Sequence, residues 1–209
     1  MTVEREGVIR FRHTLRPGPS VPRSVFGPLD AWRTVLKRLG LLGSDPRRYD
    51  GLGFGNVSMR DPDRPTTFWI TATQTGELGR IEPRHMCRVV DWDLAAFSLT
   101  AEGALPPSSE ALTHAAIYRA DASVACVLHV HDPDTWHRAV ELRLPVVARD
   151  VEYGTVAMAE AVSRLLKTNT TRPLVFATLG HEDGVFGVGG TADAIGCALV
   201  RSLGTALER

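Results

Sequence analysis

Four residues of this chain carry the side chains that metal-assisted chemistry needs: His129, His131, His181 and Glu110. His129 and His131 stand in Val127-Leu128-His129-Val130-His131, inside an apolar run that reads as a buried strand closing before Pro133. Strand side chains alternate faces, so residues two apart project together. Two imidazoles on one face can grip one ion as a chelating pair. His181, in Gly180-His181-Glu182-Asp183-Gly184, follows a second apolar run at 174–179. Three histidine donors that leave a position open suit a catalytic divalent metal, most simply Zn²⁺ or else another divalent transition metal. A bare His-x-His is more often a pair of ordinary core or surface histidines. The company it keeps is what strengthens the metal reading here.

Glu110 is part of that company. Ser108-Ser109-Glu110 opens a helix to about residue 119, with a hydroxyl cap and an early carboxylate, and the helix feeds the His-x-His strand. Helix and strand each cover roughly 15 Å, which returns the helix N-terminus beside the two histidines. Glu110 then serves as a metal ligand or as an acid/base; the alternative is a carboxylate that only caps its helix. Gly55-Asn56, Thr75-Gly76 and Ser108-Ser109 are small polar turns whose hydroxyls and N–H groups form an anion cradle. Such a cradle binds phosphate or carboxylate without an arginine.

The elements that must position these groups follow from periodicity and punctuation. Pro17, Pro19, Pro22 and Pro28 predict an extended arm over 1–28, ahead of a single domain over 29–209. Leu29, Trp32, Val35, Leu36 and Leu39 predict a first helix over 29–42. Strands are expected at 56–60 and 68–71 across the Asp61–Pro65 turn, at 86–91 and at 95–99. Beyond the His-x-His strand come a helix near 135–141, a strand near 145–151, a helix over 155–167, the strand before His181, a short strand at 185–188 and a closing helix over 191–207. The pattern predicts a single-domain layered α/β/α sandwich with a mixed, mostly antiparallel sheet.

Composition narrows the class of protein. The 209 residues are 44% hydrophobic and 23% charged, ordinary for a folded domain able to bury its own core. Lys+Arg and Asp+Glu are both 24, so no basic excess invites nucleic acid or an anionic membrane. Arg5, Arg10, Arg12, Arg16 and Arg23 are interrupted by proline and apolar residues and suit a solvated or subunit-contact segment. Cys87, Cys126 and Cys197 are dispersed and odd in number, as expected of reduced thiols in the cytoplasm. No apolar stretch approaches a membrane span, and the N-terminal residues lack a secretion-signal core.

Gly-Asn-x-Ser-x-Arg at 55–60, Ile-Thr and Thr-Gly within 70–76, Ser-Ser-Glu, His-x-His and a late histidine follow one another in an order that resembles the class II aldolase/adducin family, notably its fuculose-phosphate aldolase-like members. The resemblance runs from about residue 29 to the end. It implies zinc on His129, His131 and the late histidine, an acid/base at Glu110, and a substrate phosphate held by Asn56, Thr75, Gly76, Ser108 and Ser109. It also implies a homotetramer with sites near subunit interfaces and a place in carbohydrate metabolism.

The chain departs from that pattern in three places. Glu182 and Asp183 separate His181 from Gly184, where sugar-phosphate aldolases have His directly before Gly. Registering the strand makes His181 the third ligand, whereas registering the closing helix makes it Asp183. His181 is preferred because imidazole suits the site, and Glu182 or Asp183 is then expected to add an acid/base or to orient a histidine. Gly53 stands where the aldolases carry a phosphate-loop threonine, and Phe54 and Gln74 are extra residues expected to narrow the pocket. The loop bearing the aldolases' tyrosine proton donor is missing, leaving Tyr153 as the nearby phenol.

The function expected from this set is a metal-dependent lyase of aldolase type. It would cleave or form a C–C bond in a small hydroxy-keto or sugar-like substrate, phosphorylated or not, through a metal-stabilised enediolate. A dehydratase, epimerase or decarboxylase would use the same parts. Adducin shows that the fold also serves as a non-enzymatic binding module.

Overall fold

The computed structural model describes residues 7–208. The first half of the chain forms β1 (Arg12–Arg16), α1 (Arg23–Arg38), β2 (Gly43–Ser44), β3 (Gly53–Phe54), β4 (Asn56–Arg60), β5 (Phe68–Thr71), β6 (Met86–Asp93) and β7 (Ser98–Gly103). The second half forms α2 (Ala111–Ala120), β8 (Cys126–His131), α3 (Pro133–His137), β9 (Val146–Val147), α4 (Val156–Thr168), β10 (Leu174–Thr178), β11 (Gly184–Gly189) and α5 (Ala192–Leu207). Nine strands make one sheet in the order β1-β7-β6-β5-β4-β8-β11-β10-β9, and β2 and β3 pair as a small ribbon. Pairing is antiparallel throughout except at the two edges, where β1 runs parallel to β7 and β9 to β10. The layered α/β/α sandwich with a mixed, mostly antiparallel sheet is therefore the fold.

The alternation of β8 decides what faces what. Cys126, Leu128 and Val130 enter the apolar layer under α1 and α5, together with Leu29, Leu36, Ile195 and Leu199. Val127 enters the opposite layer, under α2 and α4, with Ala111, Ala115, Val162, Phe176 and Phe186. His129 and His131 share the Val127 face, and every residue of β8 is buried. The central position of the strand explains this: it lies between β4 and β11, with a helical layer over each face.

Two expectations from the sequence need correction. The proposed arm is not a free segment: within it, β1 pairs along β7 and α1 begins at Arg23, six residues before the expected start. Residues 1–6 of that arm lie outside the described residues. Pro28 lies inside α1 and removes one helical N–H, yet Val25 and Leu29, one turn apart on its inner face, are completely buried. Their burial outweighs the missing hydrogen bond. The second correction concerns α2: Glu110 is its N-cap residue, but no side chain caps the helix. Instead Ser108 Oγ accepts a long 3.4 Å bond from the Glu110 N–H, which leaves the carboxylate to turn inward.

The helix register makes a prediction. Leu29→Ala should cost about 2–5 kcal/mol in urea denaturation, as a deletion from a closed core does. Val35→Ala, at a position 40% exposed, should stay within about 0.5 kcal/mol. Equal losses at both positions would contradict the assigned buried face.

Candidate metal centre

The β4, β8 and β11 registers put three side chains in one row: Asn56 pairs with His129, and His129 with Phe186. Phe186 stacks on the His129 ring at 4.2 Å between centroids. Val185 O lies 3.2 Å from His129 Nδ1. That contact makes Nδ1 a donor to the Val185 carbonyl and turns Nε2 toward the interior. Gly55 precedes the row with φ +74, and a Cβ there would meet the His129 carbonyl at 3.0 Å, so glycine is what lets β4 close on β8.

His181 arrives from the turn between β10 and β11. Its ring stacks on Tyr153 at 4.3 Å, and Arg10 covers Tyr153 at 5.4 Å while donating to the Tyr153 carbonyl at 2.9 Å. Ring centroids of His129, His131 and His181 lie 4.7–5.3 Å apart. One nitrogen from each falls within 4.8 Å of the others, and all three residues are buried. Two metal–nitrogen bonds of about 2.0–2.1 Å at a tetrahedral angle span about 3.4 Å, so ring rotations that close the donors by up to about 1.4 Å bring all three onto one ion. Burial, and then the positive charge that His181 or His129 can carry, hold His131 well below the ordinary histidine range. A neutral imidazole is the form that binds a metal. The donor set fits a divalent cation.

Glu110 lies against this cluster at 3% exposure. Oε2 is 2.7 Å from His129 Nε2, Oε1 is 3.2 Å from His181 Nδ1, and Asn56 Nδ2 donates to Oε2 at 3.0 Å. Burial alone would raise its pKa, but the two imidazoles more than reverse this, and the carboxyl stays well below its usual range.

The other sequence candidates separate. Asn56, Thr75, Gly76, Ser108 and Ser109 line one cavity. Asp183 is near the centre but is not grouped with the three histidines: at φ +59, its Oδ2 takes bonds from Tyr49 Oη at 2.5 Å and Arg48 at 3.4 Å. Glu182 is exposed and does not join the buried cluster. Phe54 turns toward His131, at 5.4 Å between rings. His114, on the inner face of α2, is fully buried with Nδ1 2.7 Å from Ser58 Oγ, which also meets Tyr118 Oη at 2.7 Å.

Arg48 and Tyr49 join the centre without any sequence signal that marks them. Tyr49 and His131 meet edge to face with 4.8 Å between ring centroids, and burial and then its bond to Asp183 push the Tyr49 phenol pKa upward. Both residues sit in a stretch without periodicity, and no local signal marks their partner Asp183, 135 and 134 residues away.

Residues 44–195 match the family model described as "Class II Aldolase and Adducin N-terminal domain". The chain is 40% identical over 80 residues to methylthioribulose-1-phosphate dehydratase from Geobacillus kaustophilus, covering 38% of this chain and 35% of that protein. It is 32% identical over 87 residues to the enzyme of that name from Leptospira biflexa, covering 39% and 37%. The matches thus span little more than a third of these relatives' length. L-fuculose-1-phosphate aldolase from Thermus thermophilus superposes with a TM-score of 0.62 at 19% identity, over 87% of this chain and 90% of that one.

Two outcomes test the centre. Zn²⁺ titration by calorimetry should show stoichiometric binding lost in His129→Ala, His131→Ala and His181→Ala but retained in Asp183→Ala; loss confined to Asp183→Ala would reassign the third ligand. Separately, burial drives the His114 pKa down to about 3 from 6.5. His114 and His131 are thus neutral when folded and take up protons on unfolding. The metal-free protein should be most stable above about pH 6.5 and lose stability as pH falls from there toward about 3, with the depressed Glu110 adding to the loss in stronger acid. Urea midpoints that stay flat between about pH 7 and pH 4 would contradict buried neutral rings.

Proposed function

The chain belongs to the class II aldolase and adducin family, and we propose that it is a divalent-metal-dependent lyase acting on a small hydroxy-keto or sugar-like substrate. The observation that carries the proposal is the meeting of His129, His131 and His181 with a carboxylate pressed against two of them. These three histidines would hold the cation, Zn²⁺ by preference of an imidazole set, and when bound it supplies Lewis-acid polarisation of the substrate carbonyl.

Glu110 takes or returns the proton at the carbon or hydroxyl beside that carbonyl. Asn56 aims the carboxylate by donating to Oε2, so it limits where the proton can be taken. Tyr153 and Arg10 fix the His181 ring, and Phe186 fixes that of His129. Asp183 holds Tyr49 beside His131 and receives its phenol hydrogen bond. The near-complete burial of Glu110, Asn56, Tyr153, Phe186 and the three histidines keeps bulk water from their electrostatics.

Aldol-type C–C cleavage or formation is the reaction we assign. Dehydration is the second reading, favoured by the relatives named methylthioribulose-1-phosphate dehydratase. Dehydration takes the proton from the carbon beside the carbonyl and then breaks the C–O bond on the next carbon, releasing water. Aldol cleavage takes the proton of the hydroxyl on that next carbon and breaks the C–C bond; both gather charge on the polarised carbonyl. We place the enzyme in the cytoplasm, in carbohydrate metabolism, as a homo-oligomer that the family resemblance makes a tetramer with sites near subunit interfaces. Zero net charge gives nucleic acid no general attraction. No helix among the described residues is long and apolar enough to cross a membrane.

Solvent-deuterium exchange into dihydroxyacetone, followed by NMR, tests the proton-moving step without knowledge of the natural substrate. The metal-loaded protein should catalyse exchange and lose it on chelation. Glu110→Gln should keep stoichiometric metal and slow exchange by about 10²–10⁴-fold. Undiminished exchange in that variant removes Glu110 from the mechanism.

A further inference from the structure

We infer that the polar cavity beside the metal centre takes an uncharged hydroxyl end of the substrate and excludes a phosphate; the inference rests on the lyase reading above and names its substrate class. The residues are those of the glycine- and hydroxyl-rich turns, but two of their acceptors, Asn56 Oδ1 and Thr75 Oγ1, are set for a donor and not for an anion.

The first observation is size. The cavity measures about 20 Å³. A single water needs about 10–15 Å³ counted this way, so there is room for one hydroxyl and little more. Gln74 and Gly7 contribute to the lining, and Gln74 Nε2 donates to the Gly7 carbonyl at 3.3 Å across them. Gln74 adopts φ +55, a conformation that a non-glycine residue takes at a cost. It roofs the cradle.

The second observation is polarity. Asn56 turns its Nδ2 toward Glu110, because a carboxylate oxygen accepts and the amide must donate to it. Its Oδ1 is thereby left buried with no hydrogen-bond partner, on a residue only 6% exposed. The Thr75 hydroxyl spends its proton on Ala72 O at 2.9 Å, keeping only lone pairs. Thr73 N–H and Ser108 N–H are likewise bonded, to Pro106 O and Thr71 O. An orphan carbonyl oxygen and a hydroxyl whose proton is committed repel phosphate oxygens and welcome an O–H.

The third observation is charge. None of the described lining residues is charged. Two cations stand behind the loop but serve its carbonyls: Arg33 donates to Thr75 O at 2.6 Å and Leu78 O at 3.0 Å, and Lys37 to Gly76 O at 2.5 Å. They fix the shape of the turn, and neither side chain lines the cavity.

The test compares dihydroxyacetone with dihydroxyacetone phosphate, a pair differing only in that end group, binding to the full-length metal-loaded protein by calorimetry. The unphosphorylated compound should bind about tenfold or more tighter, as a mismatch between phosphate and unpaired acceptors requires. Gln74→Gly, which removes the roof, should narrow that ratio by admitting the phosphate. Tighter binding of the phosphorylated compound to the unaltered protein overturns the inference, as does failure of both to bind a protein shown by elemental analysis to carry its cation. Failure to take up any divalent cation would overturn the metal-centre reading itself, a different result from a reversed preference on loaded protein.

Discussion

Everything in this protein's functional half depends on burying one carboxylate among imidazoles. An isolated ionised carboxyl in an apolar layer is too costly to keep, and a group so placed needs opposite charge and hydrogen bonds. Glu110 has both, from His129, His181 and Asn56. Those partners come from three places in the chain, and only the β4-β8-β11 registers bring Asn56 and His129 side by side beneath the start of α2. The sheet order is thus the device that makes the site, and the apolar layers on both faces hold it.

Strain gathers around that point. Of the six non-glycine residues with positive φ among the described residues, Tyr49, Asp50, Gln74 and Asp183 lie at the centre, in its cradle or in the loop beside it. Such conformations persist only where surrounding contacts over-determine them. Asp183 is held by Tyr49 and Arg48, and Gln74 reaches Gly7. These strained positions thus have supporting partners of their own.

Much of the arrangement was legible in the sequence because it rests on period and order. Alternation in β8 placed His129 and His131 on one face, and equal lengths of helix and strand returned Glu110 to them. The start of α1 was not legible: Pro22 and Pro28 argue for an extended chain, and only the buried contacts of Val25 and Leu29 decide for helix. Nor was the failed hydroxyl cap of α2, since Ser-Ser-Glu spells a cap locally while the cluster captures the carboxylate. Tyr49 with Asp183, and Arg10 with Tyr153, are long-range pairs between loops, and neither composition nor spacing encodes such contacts.

The central claim is that imidazoles from β8 and from the β10–β11 turn share one cation. X-ray absorption spectroscopy on the zinc-loaded protein measures this directly through the ligand shell. Three imidazole nitrogens at about 2.0–2.1 Å, completed by oxygen, are the expected result. A shell with fewer than three imidazoles, or one containing sulfur, would contradict the account.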